Sequence, residues 1–174
     1  TAVLAALAEL RFPALRYPGG NFVSGYDWRD GVGPRAARPV HYDRAWRSRD
    51  ANAIGTDEFL GLAARMGWTP MLAVNLGDGL PAAARDLVEY CNGPSDSAEG
   101  GHRARNGRTD PWGVPLWCLG NEMDGWWQIG HVKAPVYVER AREAWRLMRD
   151  VDPSIETVAC GSSDPNMPTY PKWD

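Results

Sequence analysis

The stretch ALRYPGGN, residues 14–21, decides which fold this sequence can take. Ala14–Tyr17 reads as a short buried strand, and Pro18-Gly19-Gly20-Asn21 as the turn that leaves it. A doubly wound nucleotide-binding sheet needs that first turn to pass directly into a helix. Here no helical pattern resumes before residue 57, and the sequence holds neither G-x-G-x-x-G nor a phosphate loop. A (β/α)8 barrel accounts for the pattern better, because barrel enzymes carry long segments after the C-terminal ends of their strands.

Residues 71–76, 116–120 and 155–160 repeat the strand character. None alternates cleanly, which predicts parallel strands buried on both faces. Helical patterns separate them. Residues 57–66 put Phe59, Leu62, Ala63 and Met66 on one side, with Asp57 and Glu58 at the positive end of the helix dipole. Residues 81–91 start at Pro81, gather Ala84, Leu87, Val88 and Cys91, and stop at Asn92-Gly93. Residues 135–150 also open with proline and offer Val138, Ala141, Trp145 and Met148 as a buried stripe. Leu4, Leu7 and Leu10 add helical spacing at the start, with no capping signal ahead of it. The alternation of helix and strand predicts the α/β class and a partial (β/α)8 TIM barrel. A whole barrel takes about 250 residues, so four strands make about half of one. With an uncapped helix at the front and MPTYPKWD at the back, a fragment of a longer protein is expected.

The 174 residues suffice for one domain, and 44% hydrophobic with 24% charged residues describes a globular chain, not a disordered one. A net charge of −3 without a basic, aromatic-interleaved stripe argues against a nucleic-acid partner. No apolar run approaches the ~20 residues that cross a bilayer, so no membrane partner is expected. Cys91, Cys118 and Cys160 are too scattered for a disulfide framework. Buried free thiols are expected, which suits a reducing, cytoplasmic compartment. His41, His102 and His131 share no ligand-like spacing, so no metal and no cofactor are expected. The polar stretch 93–113 follows a helix and precedes a strand. Its charges are assigned to solvated loop or a subunit contact, which leaves room for a homo-oligomeric parent protein.

The sharpest chemical signal is LWCLGNEMDGWWQIGH, residues 116–131. A strand ends at Gly120, and Asn121 and Glu122 follow where a barrel presents its reactive groups. An acid beside an amide suits glycoside cleavage: the acid protonates the leaving oxygen, and the amide binds a sugar hydroxyl. Trp117, Trp126 and Trp127 supply the apolar bulk that raises a carboxyl pKa, and flat faces for a sugar ring. By spacing alone, an Asn-Glu pair that caps the next helix or pairs with Arg is equally good. Asn75 ends a strand at the same rim and either binds substrate or bonds neighbouring backbone. Most of the nine tryptophans are expected in packing, with Trp46 and Trp127 as those facing sugar. His131 is read as a satisfied structural histidine, and Gly19 and Gly20 as permitting unusual backbone geometry.

LRYPGGNFVSGYDWRDGVGP (15–34) and GNEMDGWWQIGH (120–131) resemble the α-L-arabinofuranosidases of glycoside hydrolase family 51. So do FLGLAARMGWTPMLAVNLG (59–77), LVEYCNGP (87–94) and DPSIETVACGSS (152–163), in the same order. The resemblance implies a retaining glycosidase in which Glu122 is the general acid/base and Asn121 the hydroxyl-binding amide. It implies that Asn21 belongs to the substrate pocket and that Trp46, in HYDRAW, walls the sugar site. Arg16 would hold the nucleophile ionised, its alternative being an internal salt bridge. The same resemblance implies strands two to five of the barrel, so that residues 1–174 form a partial catalytic domain. The other strands, the nucleophile and a C-terminal β-sandwich would lie outside it. Two positions depart from the family: Trp126 replaces an expected proline and Arg29 an expected acid, both taken to bear on the leaving-group side. The implied partner is an arabinofuranoside-containing carbohydrate. Two alternatives stand beside this: a catalytically incomplete or sugar-binding scaffold, and an endoglucanase or β-xylosidase of a related barrel.

Overall fold

The computed structural model describes residues 2–173. Helix α1, Ala2–Glu9, leads into strand β1, Ala14–Tyr17. The segment that follows is not featureless. It carries three 3-10 turns, Gly20–Gly25, Trp28–Gly31 and Arg35–Ala37, and an antiparallel hairpin of β2, His41–Asp43, and β3, Ser48–Asp50. Then come α2, Thr56–Met66; β4, Thr69–Val74; α3, Pro81–Asn92; and α4, Ala98–Arg105. Strand β5, Leu116–Leu119, helix α5, Ala134–Val151, and strand β6, Glu156–Ala159, complete the order. Strands β1, β4, β5 and β6 form one parallel sheet in that order, so the expected α/β class with a parallel sheet is what the chain adopts.

The register aligns Tyr17, Leu72, Trp117 and Thr157 across the sheet. On this face Leu72, Val74, Trp117 and Leu119 pack with Leu87, Val88 and Cys91 of α3 and with Tyr137, Ala141, Ala144 and Met148 of α5. A fully buried side chain of this size stabilises the fold by about 1.5–3 kcal/mol, so this layer carries most of the cohesion. The opposite face is thinner. Ala73 and Cys118 are buried there with Val23, and Met71 packs against them. Val158, aligned with Cys118, is 47% exposed.

That asymmetry corrects the expectation of strands buried on both faces. It holds for the ends of β4 and β5 but not for β1 and β6, which pair on one side only and keep Arg16, Glu156 and Ala159 exposed. The α5 stripe is also shifted. Val138 and Trp145 are exposed, and the buried positions are Tyr137, Ala141, Ala144 and Met148. The reason is the Tyr137 hydroxyl. It donates to Leu119 O at 2.8 Å and accepts from Cys160 N at 2.7 Å, stitching β5 to β6. In α2, Leu60 is buried while Leu62 and Met66 are half-buried. The α3 stripe is as expected, with Tyr90 added.

Stretch 93–113, expected as solvated loop, contains α4 and a fully buried arginine. Arg103 donates to the carbonyls of Tyr90 (2.6 Å), Thr109 (2.9 Å) and Arg108 (3.2 Å). Ser97 caps the helix by accepting from Gly100 N at 3.2 Å. A Cβ on Gly100 would lie 2.0 Å from Pro94 O, so that close approach requires glycine. Two glycines within eight residues hide a helix from propensity reasoning. A second buried cation, Arg38, forks onto Glu58 at 2.8 and 2.9 Å and binds Gly33 O and Asn52 O. It pins the 33–55 segment to the start of α2, where Glu58 also accepts Gly55 N.

Candidate active site

The C-terminal ends of β1 and β5 lie side by side with only β4 between them, and the polar residues of the two motifs meet there. Gly120 turns the chain at φ +90°, and Glu122 sits at φ +44°, a left-handed conformation uncommon for a residue with a side chain. The next helix begins only at Ala134, so neither Asn121 nor Glu122 caps a helix. Arg16, at the end of β1, donates to Asn121 Oδ1 at 3.1 Å. Asn121 Nδ2 donates to Asn21 Oδ1 at 3.3 Å. Gln128 Nε2 donates to the same Asn21 oxygen and to Glu122 Oε2 at 3.4 Å. Trp127 Nε1 donates to Glu122 Oε2 at 2.9 Å, and Ser24 Oγ to Gln128 Oε1 at 2.7 Å. Asn121 and Gln128 are buried, while Arg16 and Glu122 are exposed.

A cavity of about 260 Å³ opens beside this cluster, lined by Arg16, Cys118, Asn121, Glu122, Cys160 and Ser163 among others. Burial pushes the Cys118 thiol up, and the neighbouring Arg16 guanidinium partly offsets it. Burial raises the Cys160 thiol as well. Both are therefore poor nucleophiles. Cys91 and Cys118 are buried and Cys160 half-buried, all three free. Asp124 closes the far wall. Its carboxylate accepts from Ser162 Oγ (3.0 Å), Ser163 N (3.2 Å), the Ser163 hydroxyl and Thr169 Oγ1 (2.6 Å). Burial works to raise this carboxyl, but the hydroxyl and amide donors outweigh it and hold it below the usual carboxylate range.

A larger cavity, about 560 Å³, lies between the turn at Trp28–Gly31, β4 and α3. Its size does not make it the better site. Trp28 Nε1 is bonded to Ala83 O, Arg29 to Asp86 and Glu99, and Asp78 to Arg44. Its polar rim is mostly closed on itself, whereas the smaller cavity carries convergent groups with open valences.

The predicted residues divide accordingly. Arg16, Asn21, Asn121, Glu122 and Trp127 come together. Trp46 lies near them, its ring 3.9 Å from where a Gly20 Cβ would stand, and is 63% exposed. Asn75 does not join: its amide bonds Tyr26 O, Asp78, Gly77 N and Gly79 N. Trp117 is no part of the site either, being fully buried on the helix-covered face with its N–H on Val114 O. Arg16 makes no salt bridge among the described residues. His131 is bonded to Gln128 O, and Gly20 takes φ +55° as expected while Gly19 does not need a positive φ. Sequence reasoning missed Gln128, although it stands inside the quoted motif. It also missed Arg140, which binds Leu76 O (2.5 Å) and Gly77 O (2.9 Å) and has no local signature.

A model of the alpha-L-arabinofuranosidase 1 domain matches residues 6–174. The chain belongs to that family. An intracellular exo-alpha-(1->5)-L-arabinofuranosidase from Halalkalibacterium halodurans is 52% identical over 172 residues, covering 99% of this chain and 34% of the relative. A family 51 alpha-L-arabinofuranosidase from Bifidobacterium longum superposes with TM-score 0.95 at 43% identity, covering 98% of this chain and 34% of that one. An arabinose complex of the Thermotoga maritima alpha-L-arabinofuranosidase gives TM-score 0.91 at 41% identity, covering 94% and 34%. The chain thus spans about a third of the length of these relatives, and the family 51 resemblance of its motifs is borne out. Of the two positions read as departures from the alpha-L-arabinofuranosidase pattern, Trp126 stands edge-on to Trp127 at 5.6 Å and is 76% exposed. Arg29 ties the turn at Trp28–Gly31 to α3 and α4 through Asp86 and Glu99 and lines the larger cavity, whereas Glu122 lines the smaller one.

Proposed function

We propose that this chain is part of a retaining exo-α-L-arabinofuranosidase in which Glu122 is the general acid/base. The observation that carries the reading is the single hydrogen-bonded cluster at the strand ends: an exposed carboxyl beside two amides and a guanidinium. Relatives named for arabinofuranoside hydrolysis support it. Asn121 and Asn21 form the hydroxyl-binding pair, for Asn21 Nδ2 has no partner among the described residues. Trp46 forms an outer wall. Arg16, free of any ion pair here, is placed to favour the charged form of an incoming carboxylate. The four-stranded sheet is read as strands two to five of a (β/α)8 barrel, with the other strands and a β-sandwich outside the chain. The names of the relatives favour an intracellular, hence cytoplasmic, enzyme.

In the reaction so proposed, a carboxylate attacks the anomeric carbon while Glu122 gives its proton to the leaving oxygen. Glu122 then takes a proton from the water that releases arabinose. Retention needs a second carboxyl about 5–5.5 Å away. Of the acids weighed as a second carboxyl, each is engaged within this chain: Asp124 by Ser163 and Thr169, Asp43 by Ala45 N and Trp46 N, Glu58 by Arg38. That favours a nucleophile from outside these 174 residues, and so the second reading, that the chain alone is catalytically incomplete. In the full-length enzyme, Glu122→Gln is expected to lower kcat on arabino-oligosaccharides by about 10²–10⁴-fold. Aryl arabinofuranosides with acidic leaving groups should be affected far less in the first step. Full activity of Glu122→Gln on oligosaccharides would sink the assignment. A substrate panel that preferred xylosides or glucans would sink the substrate class.

A further inference from the structure

The strand-end network has one polarity from end to end, and it distinguishes the two oxygens of Glu122. A guanidinium only donates, so the Asn121 amide must turn its oxygen to Arg16. Its nitrogen then faces Asn21 Oδ1, and that oxygen also receives the Gln128 amide nitrogen. The Ser24 hydroxyl on Gln128 Oε1 fits the same orientation. Gln128 is 3% exposed, so its amide is held by these partners and not by bulk water. The second hydrogen of Nε2 is directed at Glu122 Oε2, and the Trp127 N–H, which also only donates, reaches the same atom. Oε2 is therefore an acceptor twice over. Oε1 has no partner among the described residues.

We propose that Gln128 and Trp127 are positioning residues that make Oε1 of Glu122 the oxygen that carries and transfers the proton. The proposal rests on the arabinofuranosidase reading above. As the nucleophile carboxylate forms its bond to the anomeric carbon and the glycosidic C–O bond breaks, the proton on Oε1 passes to the leaving oxygen, which keeps the bonding electron pair. The negative charge left on the carboxylate is met at Oε2 by two N–H groups already in place. In the second step the attacking water forms its bond to the anomeric carbon as the bond from that carbon to the nucleophile carboxylate breaks, the carboxylate leaving with the electron pair, and the water returns one proton to Oε1. Neither Gln128 nor Trp127 touches the reacting atoms. They hold the carboxyl plane so that its protonated edge faces the cavity.

The test uses the full-length enzyme with Gln128→Leu and Trp127→Phe, the second being the safer for folding because Trp127 is only partly covered. Each is assayed on an arabino-oligosaccharide and on aryl arabinofuranosides of graded leaving-group acidity, with Glu122→Gln as control. The expected result is a fall in kcat of about 10–100-fold on the oligosaccharide, a fraction of what general acid catalysis supplies. The loss should shrink steadily as the phenol becomes more acidic, with KM nearly unchanged. Equal losses for every leaving group, or none in either variant while Glu122→Gln loses oligosaccharide activity, would overturn the positioning role and leave the acid/base reading standing. If Glu122→Gln itself kept that activity, the acid/base reading would fall first and the proposal with it.

Discussion

Two stretches, 93–113 and 116–131, lie on either side of the start of β5, the first leading into that strand and the second carrying it and the turn that leaves it, and they use their polar groups in opposite ways. In the first, Arg103 is completely buried, and its guanidinium bonds three carbonyls of its own neighbourhood. Burial lowers its pKa, yet the surrounding acceptors satisfy the charge it keeps. Around the second, the exposed Arg16 donates to Asn121, and among the described residues neither Asn21 Nδ2 nor Glu122 Oε1 has a hydrogen-bond partner. The difference lies in whether donors and acceptors close on the chain itself or remain open to something else, and that difference separates framework from site.

The largest effect that tests this contrast is expected at Asn121. In the full-length enzyme, Asn121→Ala should lower kcat/KM by about 10²–10³-fold, the usual loss for one preorganised polar contact at a reacting centre. Thermal unfolding should move little if, as proposed, the residue supports substrate and not the core. A large drop in Tm with unchanged turnover per folded molecule would put Asn121 in the framework class. Next comes Arg103→Ala. It removes three hydrogen bonds and leaves a void, so unfolding free energy should fall by about 3 kcal/mol. Here kcat and KM of the folded fraction should stay as they are. Denaturant titration beside steady-state kinetics separates the two outcomes, and a selective kinetic loss would break the contrast.

How much of this was legible in the sequence follows the same division. The strands, the α3 stripe and the Asn121-Glu122 position could be read because periodicity and a strand end are local features. The α5 stripe could not be read correctly. Positions 138, 141, 145 and 148 are as good a helical face as 137, 141, 144 and 148, and the choice is made by a tyrosine hydroxyl bonded to two strands. Helix α4 was hidden by Gly100 and Gly101, the first of which is required because the chain passes close to Pro94 O. Gln128 lay within a recognised motif, but its role depends on Ser24 and Asn21, over 100 residues away. Spacing cannot carry that information. Asn75, which the sequence leaves equally open to substrate binding and backbone bonding, has its amide taken up by Tyr26 O, Asp78, Gly77 N and Gly79 N.

Asp124 sharpens the boundary, since it stands in the open stretch but is itself closed. Its carboxyl lies below the ordinary range, so its contribution to stability is present above the unfolded-state pKa near 4 and is lost as pH falls through the lower folded value. Asp124→Asn should therefore cost about 1–2 kcal/mol at neutral pH and nothing extra once the wild-type carboxyl is protonated in acid. Unfolding curves of the two proteins from pH 7 downward should converge below pH 4. Curves that stayed parallel would mean that the hydroxyls of Ser163 and Thr169 do not depend on its charge.

The smallest effect is expected at Trp46, which belongs to neither class. Its ring lies over Gly20 with more than half its surface exposed, and its backbone is held by Asp43, which accepts Ala45 N at 2.8 Å and Trp46 N at 3.2 Å. Nothing in the core depends on it, so Trp46→Ala should change unfolding free energy by less than about 0.5 kcal/mol. As a wall for a sugar ring it is worth about 1 kcal/mol, which predicts a KM higher by about fivefold with kcat nearly intact. Asp43→Ala tests the reason, for it loosens the turn while leaving the indole in place. If the turn positions the ring, Asp43→Ala reproduces the KM change. If Asp43→Ala lowers Tm and leaves KM alone, the turn belongs to the framework and Trp46 finds its place against Gly20 without it.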